Sequence, residues 1–168
     1  MPKRVGQKEP GFTTRTREGH SEPGSPGGTP ETLRTERRYR RDIASLQDMF
    51  AFVSEFLAAR GVPTSNAFAL ELILEELFTN VLKYRKGGDD SVEVRLGLDG
   101  DRIVLSFVEF QVEPFDITKI PEPDLTGPAH ERRAGGMGIH LVKKLSDRVS
   151  YEHKDGVSVT TITKGVER

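Results

Sequence analysis

Two stretches of the chain carry residue types whose spacing can do chemistry. In LELILEELFTNVLKY, Glu76 and Asn80 stand one helical turn apart, while Leu70, Ile73, Leu74, Leu77, Phe78 and Val81 recur at helical spacing. A carboxylate and a carboxamide so placed project side by side on the flank of the apolar stripe, where the edge of a core borders a cleft. Glu75 points elsewhere, about 100° around the helix. On spacing alone, a solvent-facing Glu beside a helix-tolerated Asn is the plainer reading. In RRAGGMGIHLV, glycines open a helix. Glycines there let backbone N–H groups approach an anion, and the helix N-terminus favours negative charge. Arg132 and Arg133 precede this turn, and Lys143 and Lys144 follow it. A flexible turn would look the same.

The elements that must position these residues are legible from pattern. Apolar residues Leu46, Met49, Phe50, Val53, Phe56 and Leu57 predict a first helix over 43–60, which "GVP" ends. "TSN" offers caps for the second helix, Ala67–Tyr84, which "KGGDD" stops. Strands are predicted over 91–98 and 102–110 around "DGD", and a closing hairpin over 148–164 around "KDG". A short helix over 139–146 lies between them, after an irregular stretch over 117–136. "TERRYRRD" reads as an edge strand with alternating charge rather than a nucleic-acid patch, since no aromatic platform accompanies its arginines. Residues 1–31, rich in Gly, Pro, Ser, Thr and charge, read as a disordered tail before a single domain over 32–168. This order makes an α+β two-layer sandwich the natural packing.

Composition narrows the function. With 25 Lys and Arg against 26 Asp and Glu, no net charge draws the 168-residue chain to nucleic acid or to a membrane surface. It has no cysteine, no apolar run of membrane-spanning length and no signal-peptide core, which fits the cytoplasm. The four histidines lack metal-ligand spacing. Neither a nucleophile elbow nor a Walker-type phosphate loop is present.

Taken in order, LELILEELFTNVLKY, EPFDITKIPEPD and GGMGIHLVKKLSDRVSYEHKDG resemble the bacterial anti-sigma-factor serine/threonine kinases. Those belong to the ATPase superfamily shared by histidine kinases, gyrase and a heat-shock chaperone. The likeness runs from about residue 32 to residue 164. It implies a sandwich of the histidine-kinase-like ATPase (Bergerat) type, with ATP between the helices and a lid formed by 117–135. By the same likeness Asn80 is the Mg2+ ligand and Glu76 the general base for a substrate serine, the neighbours that phosphoryl transfer requires. Gly136, Met137 and Gly138 match the phosphate-binding turn, Lys83 lies near the metal side, and Thr161 matches the polar contact under adenine. The implied protein is an ATP-binding regulatory kinase of a partner-switching pathway. Its partners would be a sigma factor, an anti-sigma-factor antagonist, and a second copy docked through the N-terminal strand and first helix.

One stretch departs from the family. Aligned on Pro114-Phe115-Asp116, the family's D-x-G falls on Phe110-Gln111-Val112. That aspartate accepts a hydrogen bond from the adenine amino group, and the glycine lets the base lie close to the backbone. Phe110 cannot accept the bond, and Val112 adds a branched side chain. Losing a base-reading bond costs about 1–3 kcal/mol, roughly ten- to a hundredfold in affinity. The sequence therefore predicts weakened ATP binding, restored by Phe110→Asp with Val112→Gly. A second function stays open, a partner-binding module that has kept the fold without the nucleotide. Glu109 points to the opposite strand face from Phe110, so its service as the acid requires a register shift or bulge.

Overall fold

The computed structural model describes residues 15–16, 34–122 and 137–168. In chain order these form β1 (Arg15–Thr16), β2 (Arg34–Arg40), α1 (Ser45–Ala59), α2 (Ala67–Tyr84), β3 (Ser91–Asp99), β4 (Arg102–Phe110), α3 (Met137–Leu145), β5 (Arg148–Lys154) and β6 (Val157–Gly165). The strands make one antiparallel sheet in the order β1-β2-β3-β4-β6-β5, covered on one face by helices, which is the α+β sandwich expected. Both hairpins turn where the sequence places them. Gly100 takes φ +57 between β3 and β4. Asp155 and Gly156, at φ 51 and 76, supply the two left-handed residues of a tight β5–β6 loop.

Helix α2 is the central girder. Its apolar stripe buries Leu70, Ile73, Leu74, Leu77, Phe78 and Val81 against α1 and the inward residues of the sheet. Each such side chain contributes roughly 1.5–3 kcal/mol on leaving water, so a charge at fully buried Leu74 or Phe78 would break the domain. In α1 the buried residues are Met49, Phe52, Val53, Phe56 and Leu57. Phe52 thus takes the inward place expected for Phe50, packing on Tyr39 with ring centroids 6.5 Å apart. Arg37 lies 4.6 Å above the Phe52 ring.

The face that each strand residue takes decides the site. In β3, Val92, Val94 and Leu96 are buried towards the helices, and in β4 Ile103, Leu105 and Phe107 share that face. The opposite face carries charge, with Arg95 bound to Glu93 at 2.7 Å and Arg38 lying 3.7 Å from Glu93. Strand β2 is flanked by β1 along part of its length, with Arg15 opposite Glu36 and Thr16 opposite Thr35. This pairing falls inside the segment expected to be a tail; the rest of 1–33 lies outside the described residues.

"TSN" was expected to offer caps for α2, yet Asn66 at the cap position makes no side-chain cap bond. Its buried amide instead clasps the end of the chain. Nδ2 donates to the carbonyls of Pro63 and Glu167 at 2.9 Å, and Oδ1 accepts from the Glu167 amide at 2.8 Å. At its other end, α2 stops where Arg85 turns extended and Gly87 and Gly88 adopt φ 83 and 87. Arg41, just past β2, gathers the carbonyls exposed there, reaching Gly87 O at 2.6 Å and Arg85 O at 2.9 Å.

Candidate functional site

The packing of α2 against α3 brings Glu76 to the start of the second chemical motif. The two meet because Gly138 lacks a side chain. A Cβ there would collide with Glu76 Oε2 and lie 3.0 Å from its carboxyl carbon. Asn80, one turn further along, is partly buried, and its Nδ2 is buried with no hydrogen-bond partner among the described residues. An unspent polar atom at the edge of a core marks a place where a polar group can be received.

Met137 opens α3 and is half exposed. Gly136 lies outside the described residues, as do Arg132, Arg133 and the part of the expected lid over 123–135. Lys83 is exposed in the last turn of α2. Lys143 is engaged, its Nζ donating to Thr118 O at 3.1 Å and Ile120 O at 2.6 Å. It thereby fastens α3 to the described part of the stretch expected to form a lid.

The strand floor differs from the expected one. Phe110 does not lie on the face towards the helices. The two-residue period of β4 turns it to the far side, where the Arg38 guanidinium stacks 4.2 Å from its ring centroid. Thr161 is displaced in the same way, its hydroxyl 3.2 Å from Ser106 on that far face. The inward positions belong to Glu109 in β4 and Thr160 in β6, which are 8% and 4% exposed. Val112 packs on the turn after α2, where a Cβ on Gly88 would lie 2.9 Å from Val112 Cγ1. Between Glu109 and Val112, Gln111 adopts φ 54, the left-handed conformation that glycine takes most readily.

Glu109 and Phe110 both border a small cleft also lined by Arg41, Val81, Asp89, Ser91, Val92 and Val112. The Glu109 carboxylate is held by Arg85, with Nε 3.0 Å from Oε1 and Nη2 3.4 Å from Oε2. Sequence pattern did not single out Arg85 or Thr160 as candidates, and it admitted Glu109 only through a register shift or bulge. The odd-numbered run Ile103, Leu105, Phe107 was the available signal for Glu109. Nearby, the Phe115 amide donates to Tyr151 Oη at 2.7 Å, and Tyr151 and His153 Nδ1 both meet Ser158 Oγ at 2.9 Å. Asp116 accepts from the Thr118 hydroxyl and amide, and these bonds, helped by Lys119, hold its carboxyl below the ordinary range. Among the described residues no cluster of three or more His, Cys, Asp or Glu is placed to hold a metal ion. No described helix is long and apolar enough to cross a membrane.

Comparison with known proteins places the fold in a family. A sensor histidine kinase, YxdK of Bacillus subtilis, is 27% identical over 135 residues, covering 69% of this chain and 42% of that protein. The serine-protein kinase RsbW of Oceanobacillus iheyensis is 29% identical over 98 residues, covering 54% of this chain and 60% of the relative. The chain therefore spans about half the length of the curated relatives it matches. Among solved structures, the RsbU and RsbW domains of Rv1364c from Mycobacterium tuberculosis superpose with a TM-score of 0.54 at 17% identity. That match covers 79% of this chain and 33% of the other, and shows the shared fold. The resemblance expected from the sequence is thereby borne out. With residues 39–164 matching the profile of the histidine kinase-like ATPase domain, the chain belongs to that family.

Proposed function

We propose that this chain is an ATP-binding regulatory serine/threonine kinase of the anti-sigma-factor type, acting in partner switching on an antagonist protein and binding a sigma factor. The observation that carries the reading is Glu76 lying against Gly138 with Asn80, whose Nδ2 has no partner among the described residues, one turn away. The residues present fit Mg-ATP. The unspent Asn80 Nδ2 is a donor that a phosphate oxygen could satisfy while Oδ1 faces a cation, and the glycine of α3 leaves room at the helix start. Asn80, through its amide oxygen, would hold Mg2+ together with the nucleotide phosphates, and the ion would supply charge neutralisation across them. Glu76 would accept the proton of an incoming serine hydroxyl, oriented by its contact with Gly138.

Base reading falls to Glu109 in this proposal rather than to position 110. Glu109-Phe110-Gln111 offers an inward acid in the role the family gives to the aspartate of D-x-G and, two residues later, a residue with the left-handed backbone that glycine takes most readily. The RsbW relative supports a kinase of this class. A second reading, a partner-binding module that has abandoned nucleotide, is favoured by the Arg85 guanidinium already seated on Glu109.

Titration of Mg-ATP into the full chain separates the two. The kinase reading expects Mg2+-dependent binding that falls about tenfold or more in Asn80→Ala, with Glu76→Gln binding normally but transferring no phosphate. No binding at millimolar Mg-ATP would favour the nucleotide-free module.

A further inference from the structure

Three elements converge on the side chain of Arg85. It is the first residue after α2, and its Nε lies 3.0 Å from Glu109 Oε1 at the end of β4. Its Nη1 donates to Glu113 O at 3.0 Å, and its guanidinium sits 5.0 Å from the centroid of the Phe115 ring. The two side chains of the ion pair are 17% and 10% exposed, so solvent screens them little. The pair is nonetheless imperfect. Among the described residues, Glu109 Oε1 is buried beside the guanidinium and receives no directed hydrogen bond. A carboxylate neutralised by charge but short of a well-directed donor is one for which a better-aligned N–H group can compete.

We infer that Arg85 is a latch on the base-reading acid. It competes with the exocyclic amino group of a nucleobase for Glu109, and a nucleotide that takes over Glu109 releases Arg85. The inference rests on the nucleotide reading proposed above and adds regulation to that site. Its consequence is mechanical as well as competitive. Because the same guanidinium anchors Glu113 and Phe115, base entry loosens the turn over 113–116. That turn runs into Ile117–Lys119, where Lys143 of α3 holds the Thr118 and Ile120 carbonyls. Occupation of the base site is thereby communicated to the helix that carries Gly138. Apparent affinity is reduced by the fraction of molecules whose latch is open, and removing the latch removes that penalty.

The test compares Mg-ATP titrations of the full wild-type chain, Arg85→Ala and Arg85→Gln, with amide exchange followed across 113–116. Arg85→Gln keeps a neutral donor near Glu109 and covers the case in which Arg85→Ala fails to fold. Both substitutions are expected to tighten Mg-ATP binding by about tenfold or more, and to speed amide exchange at Phe115 even without nucleotide. If the wild type binds Mg-ATP and neither variant binds tighter, the latch is overturned and the nucleotide reading stands. If none of the three binds, the nucleotide reading fails and the latch falls with it. Unchanged exchange over 113–116 in the variants would overturn the coupling to the turn.

Discussion

The double substitution Phe110→Asp with Val112→Gly decides which strand face reads a base. Alignment on the P-F-D turn predicts that it restores nucleotide binding. The structure predicts that it does not, because position 110 faces away from the helices and lies under Arg38. The new carboxylate would meet a guanidinium on the far face, beside Glu93, where no nucleotide is expected. Losing the Arg38–Phe110 stacking costs about 0.5–1 kcal/mol at an exposed site. Removing the Val112 side chain, which packs on Gly88, and adding glycine freedom costs about 0.5–1 kcal/mol more in backbone entropy alone. The double variant should therefore be roughly 1–2 kcal/mol less stable by urea unfolding, with Mg-ATP affinity within about twofold of wild type. Glu109→Ala, by contrast, removes the inward acceptor and should weaken binding about tenfold or more. A tenfold gain in affinity for the double variant would refute the face assignment and with it the role given to Glu109.

Three further outcomes follow from named contacts. Gly138→Ala gains roughly 0.5–1 kcal/mol of helix propensity and spends a similar amount displacing the Glu76 carboxylate from its rotamer. Its melting temperature should barely move, while phosphate transfer to a protein serine from labelled ATP should fall about a hundredfold through misplacement of the base. Asn66→Ala breaks three bonds at a fully buried amide and should lower unfolding free energy by about 2–4 kcal/mol in denaturant melts. Asp116 is held below the ordinary carboxylate range by Thr118, so the folded state takes up its proton less readily than the unfolded chain. Its contribution is complete above the unfolded pKa and fades as pH falls through the lowered folded value, so the stability gap between wild type and Asp116→Asn should shrink on acidification.

What the sequence disclosed, and what it hid, has a physical basis. Helix α2 was legible to its end residues because six apolar positions fit one period and glycines stop it. The bounds of β4 were legible as well, but its inward face was not. In RIVLSFVEF, apolar residues occupy both parities, and Phe107 and Val108 are both buried. An inward acid contradicts the usual rule of burial unless a partner is known, and Arg85 lies 24 positions away in sequence. Thr160 and Thr161 offer no chemical contrast at all. Phe50 and Phe52 posed the same difficulty in α1, where two identical side chains flank the edge of one stripe.

The displacements at Phe110 and Thr161 are one geometric fact. Glu109 pairs with Ser158, and Phe107 with Thr160, so an inward Glu109 obliges Ser158, Thr160 and Ile162 to face the helices together. Choosing the face of either strand chooses the other, and a one-residue slip would reverse the whole floor. Counted from the inward acid, this chain carries one residue more before Phe115 than the family spacing allows. The left-handed Gln111 absorbs that residue, and Val112 then wedges against Gly88 and sends the chain back over the end of α2. There Glu113 and Phe115 meet Arg85. The extra residue and the arginine on Glu109 thus belong to one local rearrangement. It leaves the acid facing the cleft and gives it an internal cation, so under the latch proposed above the departure from D-x-G would regulate base reading instead of abolishing it.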